Sequence, residues 1–466
     1  MQFLKKLIFG CICLVFISCA STLKSTYKLP DFREVRLENG LKLLLIKDNR
    51  LPSFSLTMVN RSGSYLDSVV ESDGRPPGLT NMVAELLDKG AGGLSASQIA
   101  DRFGILGTSF SAWTGPDYSV FKTSGLSMHQ DKILENFFTV ITRPDFKENE
   151  LNRVKGRVLA EIKKAVDQPQ EFAQLQLQKV IFGDHPYGFP VDGTVAGVQS
   201  IKLDQVKLLY KKYFTPNRSI LAIIGNYNDD VVEKVKLLSK DWKAGSAEVA
   251  SFKKVQEMNG LNVHLITKED LKQSEVLLGH RGIKRSNPDS LTLKLANTVL
   301  GQTMSSRLFT EIREKRGLTY GVFSQFINML DRGYFFVDAS TRHEKVGELL
   351  KETINQIELF KEKGITKEEL IMAKGYLKGL FPQILETPES VAENILVLDI
   401  YGVDRSYLRD YYKNLDDIDL DDVNQAIKKY YKPENFQVVV FSPKKTEEQV
   451  KSVGQLSLQN YKALLN

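Results

Sequence analysis

Cysteine is almost absent from this 466-residue chain. The three present, Cys11, Cys13 and Cys19, all fall within the first 19 positions, so the body of the chain can form no disulfide and no thiolate metal site. Histidine is scarce too. His129, His185, His264, His280 and His343 include no pair at i, i+3 or i+4, so no helix face presents two imidazoles to one metal ion. The net charge of +6 includes Lys5 and Lys6 of a leader, and no basic run is interleaved with aromatic residues. That excludes the usual electrostatic footprint of a nucleic-acid binder, and no nucleic-acid partner is expected.

What the N-terminus does contain is a leader. Lys5-Lys6 precede an apolar run, Leu7 to Ile17, which has secretory form and is too short for a stable membrane span. It ends Phe16-Ile17-Ser18-Cys19, which resembles a bacterial lipobox with Phe where Leu is usual. Residues 1–18 are therefore expected to be a lipoprotein signal and 19–30 a polar tether. Acylation of Cys19 would anchor a soluble body to the inner or outer membrane of a bacterial envelope, facing the periplasm.

A chain of this length, 42% hydrophobic, has enough apolar residues for two or more cores. Two passages recur at nearly one offset. Leu37-Glu38-Asn39-Gly40-Leu41 is echoed by Met258-Asn259-Gly260-Leu261, 220 residues on, and Asn-Gly marks a tight hairpin turn. Lys211-Lys212-Tyr213-Phe214-Thr215-Pro216-Asn217 is echoed by Lys428-Lys429-Tyr430-Tyr431-Lys432-Pro433-Glu434, 217 residues on. Each of the latter reads as a helix stopped before Pro and followed by a buried strand. The spacing predicts a duplicated domain, 31–243 and 255–466, joined by a linker of small residues at 244–254. Helical stretches at 130–143, 148–166, 344–363 and 367–378 between short strands predict an α+β fold with helices packed on mainly antiparallel sheets.

The chemistry is sharpest in Met304 to Tyr320. The stretch reads as a helix ending at Gly317, suited to a left-handed cap, followed by an extended apolar segment through Val322, Phe323 and Phe326. Arg313 then lies in the last helical turn and Tyr320 at the head of a strand. Both are donors able to hold a carbonyl oxygen, and Arg keeps its charge. Arg313 and Tyr320, with Ser305-Ser306-Arg307-Leu308-Phe309 before them, resemble the second-domain signature of the pitrilysin/insulinase/mitochondrial-processing-peptidase family. The resemblance covers Val35 to Pro443 and implies two homologous domains forming half or all of a clamshell.

Zinc members of that family carry His-x-x-Glu-His on a helix, with a Glu as general base on metal-bound water. Here the matching frame is Gly78-Leu79-Thr80-Asn81-Met82-Val83-Ala84-Glu85-Leu86-Leu87-Asp88-Lys89-Gly90. Asn81, Ala84 and Glu85 stand at the three key positions, and Glu161, 76 residues after Glu85, fits the third ligand. Both imidazoles and the base are missing, so no metal is expected on this chain. Glu85 and Glu161 are expected to be solvated or paired with lysine, since two carboxylates fall short of the six or more oxygens Ca²⁺ takes. The resemblance also makes Ala112-Trp113-Thr114, within Ser109 to Phe121, a cleft-edge strand able to pair with substrate backbone. His185-Pro186-Tyr187-Gly188 matches a family loop without assigned chemistry. The function this implies is that of the substrate-gripping subunit of a two-chain zinc peptidase, with Arg313 and Tyr320 acting beside a homologous partner that supplies His-x-x-Glu-His and zinc. A non-catalytic scaffold or peptide-binding lipoprotein of the same fold is the alternative.

Overall fold

The computed structural model describes residues 29–67, 75–245, 252 and 258–464. The leader, Cys19 and most of the 244–254 linker lie outside the described residues. No helix among the described residues is long and apolar enough to cross a membrane.

Among the described residues the longer strands form two six-stranded sheets, and Gly90–Ala91 pairs with Leu94–Ser95 in a short ribbon. The first comprises β1 (Arg33–Arg36), β2 (Lys42–Lys47), β3 (Ser53–Asn60), β4 (Ser111–Thr114), β5 (Ser119–Leu126) and β6 (Ser219–Gly225), in the order β1-β2-β6-β3-β5-β4. The second comprises β7 (Asn262–Thr267), β8 (Ser274–Arg281), β9 (Thr319–Ile327), β10 (Tyr334–Thr341), β11 (Gln437–Ser442) and β12 (Gln455–Asn460), in the order β9-β10-β8-β11-β7-β12. Five strands correspond one to one between the sheets. Most pairings are antiparallel; β2 with β6 and β7 with β11 are parallel. The sixth strand breaks the symmetry. β1 lies antiparallel beside β2, whereas β12 lies parallel beside β7.

The repeated passages touch each other in both halves, which explains their common offset. Gly40 has φ +89°, and a Cβ there would fall 2.7 Å from that of Asn217. In the second half the Gly260 amide donates to Asn435 Oδ1 at 3.3 Å. The Asn-Gly turn thus packs on the segment that comes after the helix in each copy.

Ten helices frame the site and the junction between the halves: α1 (Leu79–Leu86), α2 (Gln130–Thr142), α3 (Glu148–Lys164), α4 (Pro169–Phe182), α5 (Leu203–Tyr213), α6 (Ser290–Asn297), α7 (Val346–Lys363), α8 (Lys367–Leu380), α9 (Pro388–Tyr401) and α10 (Leu420–Tyr430). The four long helical stretches expected from sequence are α2, α3, α7 and α8. Helices α4 and α9 go beyond those expectations, and they join the halves. Each is 14 residues long and opens on Pro, a residue whose fixed φ suits the first helical turn.

The two helices are exchanged. α4, from the first half, packs on β8 and β11 of the second sheet, with the Phe172 and Phe441 rings 4.9 Å apart. Gln178 donates to Tyr334 Oη at 2.8 Å, and Gln170 donates to Asp338. α9, from the second half, packs on β2, β3 and β6 of the first sheet. There Val391, Ile395 and Leu396 share one core with Leu44, Ile46, Ala222 and Ile224. Lys122 and Glu393 pair at 2.6 Å, and Lys42 and Asp399 at 2.8 Å, across the same junction.

Because each sheet is covered by the other half's helix, the halves should melt together. Ile395→Ala removes a fully buried side chain at this junction and should cost about 2–5 kcal/mol. Differential scanning calorimetry is expected to show one transition at lower temperature, not a split into two.

Candidate functional site

The first locus is built on α1 and α3. Asp67 accepts from the amides of Gly78 (2.9 Å) and Thr80 (2.8 Å) and from the Thr80 hydroxyl, which fixes the start of α1. Gly78 has φ +95°, and a Cβ there would meet Asp192 O at 2.7 Å, so the glycine of the Gly78-Leu79 frame is required by close approach. Asn81 is buried and donates to Asp192 Oδ1 at 3.0 Å. Ala84 is buried with no polar group to offer.

Glu85 and Glu161 do come together, but a guanidinium joins them. Arg157 Nη2 lies 2.6 Å from Glu85 Oε2, and Arg157 Nη1 lies 2.9 Å from both Glu161 oxygens. The expectation of solvated or lysine-paired carboxylates is corrected here to an arginine bridge. Arginine wins on geometry, since its planar fork spans two carboxylates at once. The Arg157–Glu161 spacing of one helical turn was the signal available in the sequence. Burial raises the Asp192 carboxyl, with Glu161 and Glu85 adding to that effect and Arg157 opposing it.

A zinc ion does not fit this donor set. The Asn81 amide is engaged with Asp192, no imidazole is present, and a fixed cation sits between the two carboxylates. Among the described residues no group of three or more His, Cys, Asp or Glu side chains could hold a metal.

The second locus is Arg313 with Tyr320. The helical segment before Gly317 widens into a π-helical turn at Phe309–Glu314, with the Lys315 amide donating to Thr310 O at 3.0 Å. Gly317 takes φ +60°, as its cap position predicts. β9 then begins with a bulge between Thr319 and Val322, a device that re-aims a side chain. Tyr320, on that bulge, is 86% exposed. The Arg313 guanidinium carbon lies 4.5 Å from the Tyr320 ring centroid and 4.6 Å from that of Phe309. Sequence reasoning did not place Phe309 in this site, though its i, i+4 spacing to Arg313 is visible in the sequence.

Neighbouring cations are spoken for. Arg307 pairs with Glu369 at 2.7 Å, Lys315 with Glu311 at 2.6 Å, and Arg316 with Glu311 at 2.8 Å and Glu352 at 3.0 Å. Among the described residues the Arg313 side chain has ring contacts and no ion pair or hydrogen bond. Two rings hold it at about 0.5–1 kcal/mol each, positioning the fork while leaving its donors open.

Ala112, Trp113 and Thr114 lie on β4, one of the two edge strands of the first sheet, against which α1 packs. The edge is shorter than Ser109 to Phe121: only Ser111–Thr114 lies on it, and Ser119 to Phe121 belongs to β5, an interior strand. Trp113 is half exposed and packs edge-on to Tyr118 at 5.8 Å. Thr114 is buried with Oγ1 3.1 Å from Ser119 Oγ.

The His185–Gly188 loop is a joint. Asp117, buried in the turn after β4, accepts from the hydroxyls of Tyr187 and, at 3.0 Å, Tyr401, and from the Leu330 amide at 3.0 Å in the turn after β9. Burial raises its carboxyl above the ordinary range, partly offset by those hydrogen bonds. The joint ties together the turns after two edge strands, β4 and β9. Among the described residues no hydrogen bond, ion pair or ring contact links Arg313 or Tyr320 to Asn81, Ala84, Glu85 or Glu161.

The sequence profile described as "Insulinase (Peptidase family M16)" matches residues 63–195, and "Peptidase M16 inactive domain" matches residues 200–377. The chain belongs to the M16 peptidase family. It is similar to the uncharacterized zinc protease YmxG of Bacillus subtilis, 26% identical over 411 residues, covering 87% of this chain and 97% of that protein. An uncharacterized zinc protease of Rickettsia felis is 29% identical over 364 residues, covering 78% and 85%. A crystal structure of a peptidase M16 inactive domain from Pseudomonas fluorescens superposes with a TM-score of 0.80 at 26% identity, covering 89% of this chain and 98% of that one. A protease from Helicobacter pylori shares the fold with a TM-score of 0.81 at 23% identity, covering 89% and 100%. In this M16 chain the insulinase match spans the Asn81–Glu161 locus, and the inactive-domain match spans Arg313 and Tyr320.

Two outcomes are expected at the first locus. Installing His-x-x-Glu-His by N81H/A84E/E85H should not give stoichiometric zinc while Arg157 remains; adding R157A should raise zinc content, as read by elemental analysis of the dialysed protein. Burial raises the Asp67 carboxyl to about 7. The folded state therefore holds this proton more tightly than the unfolded chain does, and the group's contribution to stability is complete below the ordinary aspartate range and declines as pH rises toward 7. Asp67→Asn should flatten the dependence of melting temperature on pH between about 4 and 7.

Proposed function

We propose that this chain is the substrate-gripping subunit of a two-chain M16 peptidase in the cell envelope, held there by lipid on Cys19. The observation that carries the reading is the contrast between the two arginines. Arg157 is consumed by two carboxylates in the place where a zinc helix would work. Arg313 is positioned by two rings with its donors unspent. A homologous partner bearing His-x-x-Glu-His would supply zinc and the water-activating carboxylate.

In that complex Arg313 and Tyr320 donate to the carbonyl oxygen of a bound peptide and stabilise the negative charge that develops on it. A hydrogen bond from a charged donor contributes about 1.5–3 kcal/mol, at least comparable with the two ring contacts together, and those contacts leave the guanidinium donors free to meet the substrate. The short edge β4, with Trp113 half exposed, offers backbone groups to an extended peptide. The unpaired, ring-held Arg313 favours this reading over a non-catalytic scaffold of the same fold, which has no use for an open donor pair.

Arg313→Ala should fold normally and lower peptide hydrolysis by the reconstituted pair about 10²–10³-fold. Arg313→Lys should rescue little of that loss, because an ammonium lacks the planar fork. Full activity of the Ala variant in a reconstituted assay would reject the role and favour the scaffold.

A further inference from the structure

Large apolar side chains are exposed together at one end of the first sheet. Leu51 is 66% exposed, Ile105 83%, Leu126 50% and Met128 79%. Scattered exposed apolar residues are ordinary; clustering at adjoining loop tips is not. The Ser127 amide donates to Pro52 O at 2.9 Å, which joins the loop of Leu51 to that of Met128. Leu126 pairs with Ser53 at the sheet's end. The loop of Ile105 lies alongside, with Thr108 Oγ1 3.0 Å from Thr123 Oγ1 and Leu106 O 3.8 Å from where a Cβ of Gly125 would stand.

The chain joins the body at this same end. Arg33, at the start of β1, pairs with Leu45 near the end of β2. Pro30 lines a recess of about 360 Å³ with Lys47, Asp48 and Arg50, the residues that lead into Leu51. The stretch from Cys19 to Leu29 reaches at most about 35 Å when extended.

We infer that this end of the first sheet is a membrane-contacting surface, with Leu51, Ile105, Leu126 and Met128 seated at the boundary between headgroups and acyl chains of a lipid bilayer. The inference shares with the proposed function only the expectation that the leader brings the chain to a membrane; it does not depend on peptidase chemistry. Several charges around the tips are closed on one another, while Arg102 and Lys132 are exposed. Arg50 pairs with Asp48 at 2.7 Å, Lys47 with Asp229 at 3.1 Å, and Lys234 with Asp131 at 2.6 Å and Asp230 at 2.9 Å. Contact is therefore mainly through apolar burial, with Arg102 and Lys132 left to meet lipid headgroups.

Brominated lipids test this directly. The full chain is reconstituted in phosphatidylcholine vesicles as M128W, L51W and, for comparison, L208W, which replaces an exposed leucine (60%) on α5. Native Trp113 and Trp242 give a common background. The added emission of M128W and L51W should shift to the blue and be lost in brominated vesicles, while that of L208W stays unshifted and unquenched. Vesicle-bound chain with M128W and L51W unquenched, or with all three quenched alike, would overturn the surface and leave the subunit reading standing. A chain that fails to sediment with vesicles would overturn the surface and the membrane tether together.

Discussion

Everything else in this molecule rests on the exchange of α4 and α9. One face of each six-stranded sheet is covered by a helix from the opposite half, so each half completes the other's core. The exchanged helices bring polar contacts with them: Gln178 on Tyr334, Lys122 on Glu393, Lys42 on Asp399. At the same seam Asp117 gathers two tyrosine hydroxyls and the Leu330 amide, tying the turn after β4 to the turn after β9. The relative placement of the two sheet edges, one beside α1 and one bearing Tyr320, is thereby fixed by packing rather than by the linker.

On that frame two arginines show how one side chain is closed and another left open. Arg157 is partly shielded and bridges Glu85 and Glu161, so the carboxylates are satisfied and a second cation would meet a fixed charge at contact distance. Arg313 lies between the rings of Phe309 and Tyr320 with acidic neighbours assigned to other cations. Ring contacts orient a guanidinium at small energetic cost to its donors. The widened helical turn and the bulge at Tyr320 serve that arrangement. One brings the end of the helix to the strand, and the other turns the phenol out to face solvent.

Much of this was legible in the residues. The Asn-Gly turns and the Pro-terminated helices disclosed the duplication because both are local signals, and their contact in the fold explains why they recur together. Gly317 disclosed the cap ahead of β9. The departures at Asn81, Ala84 and Glu85 were plain because the surrounding frame is intact. What stayed hidden were the long-range partners. Arg157 reads as an ordinary helix arginine until Glu85, 72 residues away, is folded against it. Tyr187 reads as part of a turn until Asp117 and Tyr401 converge on it. α4 and α9 escape notice because a helix wedged between halves is covered on more than one face and carries no single apolar stripe. The edge at β4 is shorter than the sequence suggests, since alternation alone does not mark where an edge strand turns back into the sheet.

The most direct test of the account is a paired assay of the intact chain. Bound zinc is measured by elemental analysis, and peptide hydrolysis is measured for this chain alone and after mixing with a homologous chain bearing His-x-x-Glu-His. The account predicts no stoichiometric zinc and no hydrolysis for this chain by itself, with hydrolysis appearing in the mixture above the level of the partner alone. Stoichiometric zinc and hydrolysis by this chain alone would contradict it.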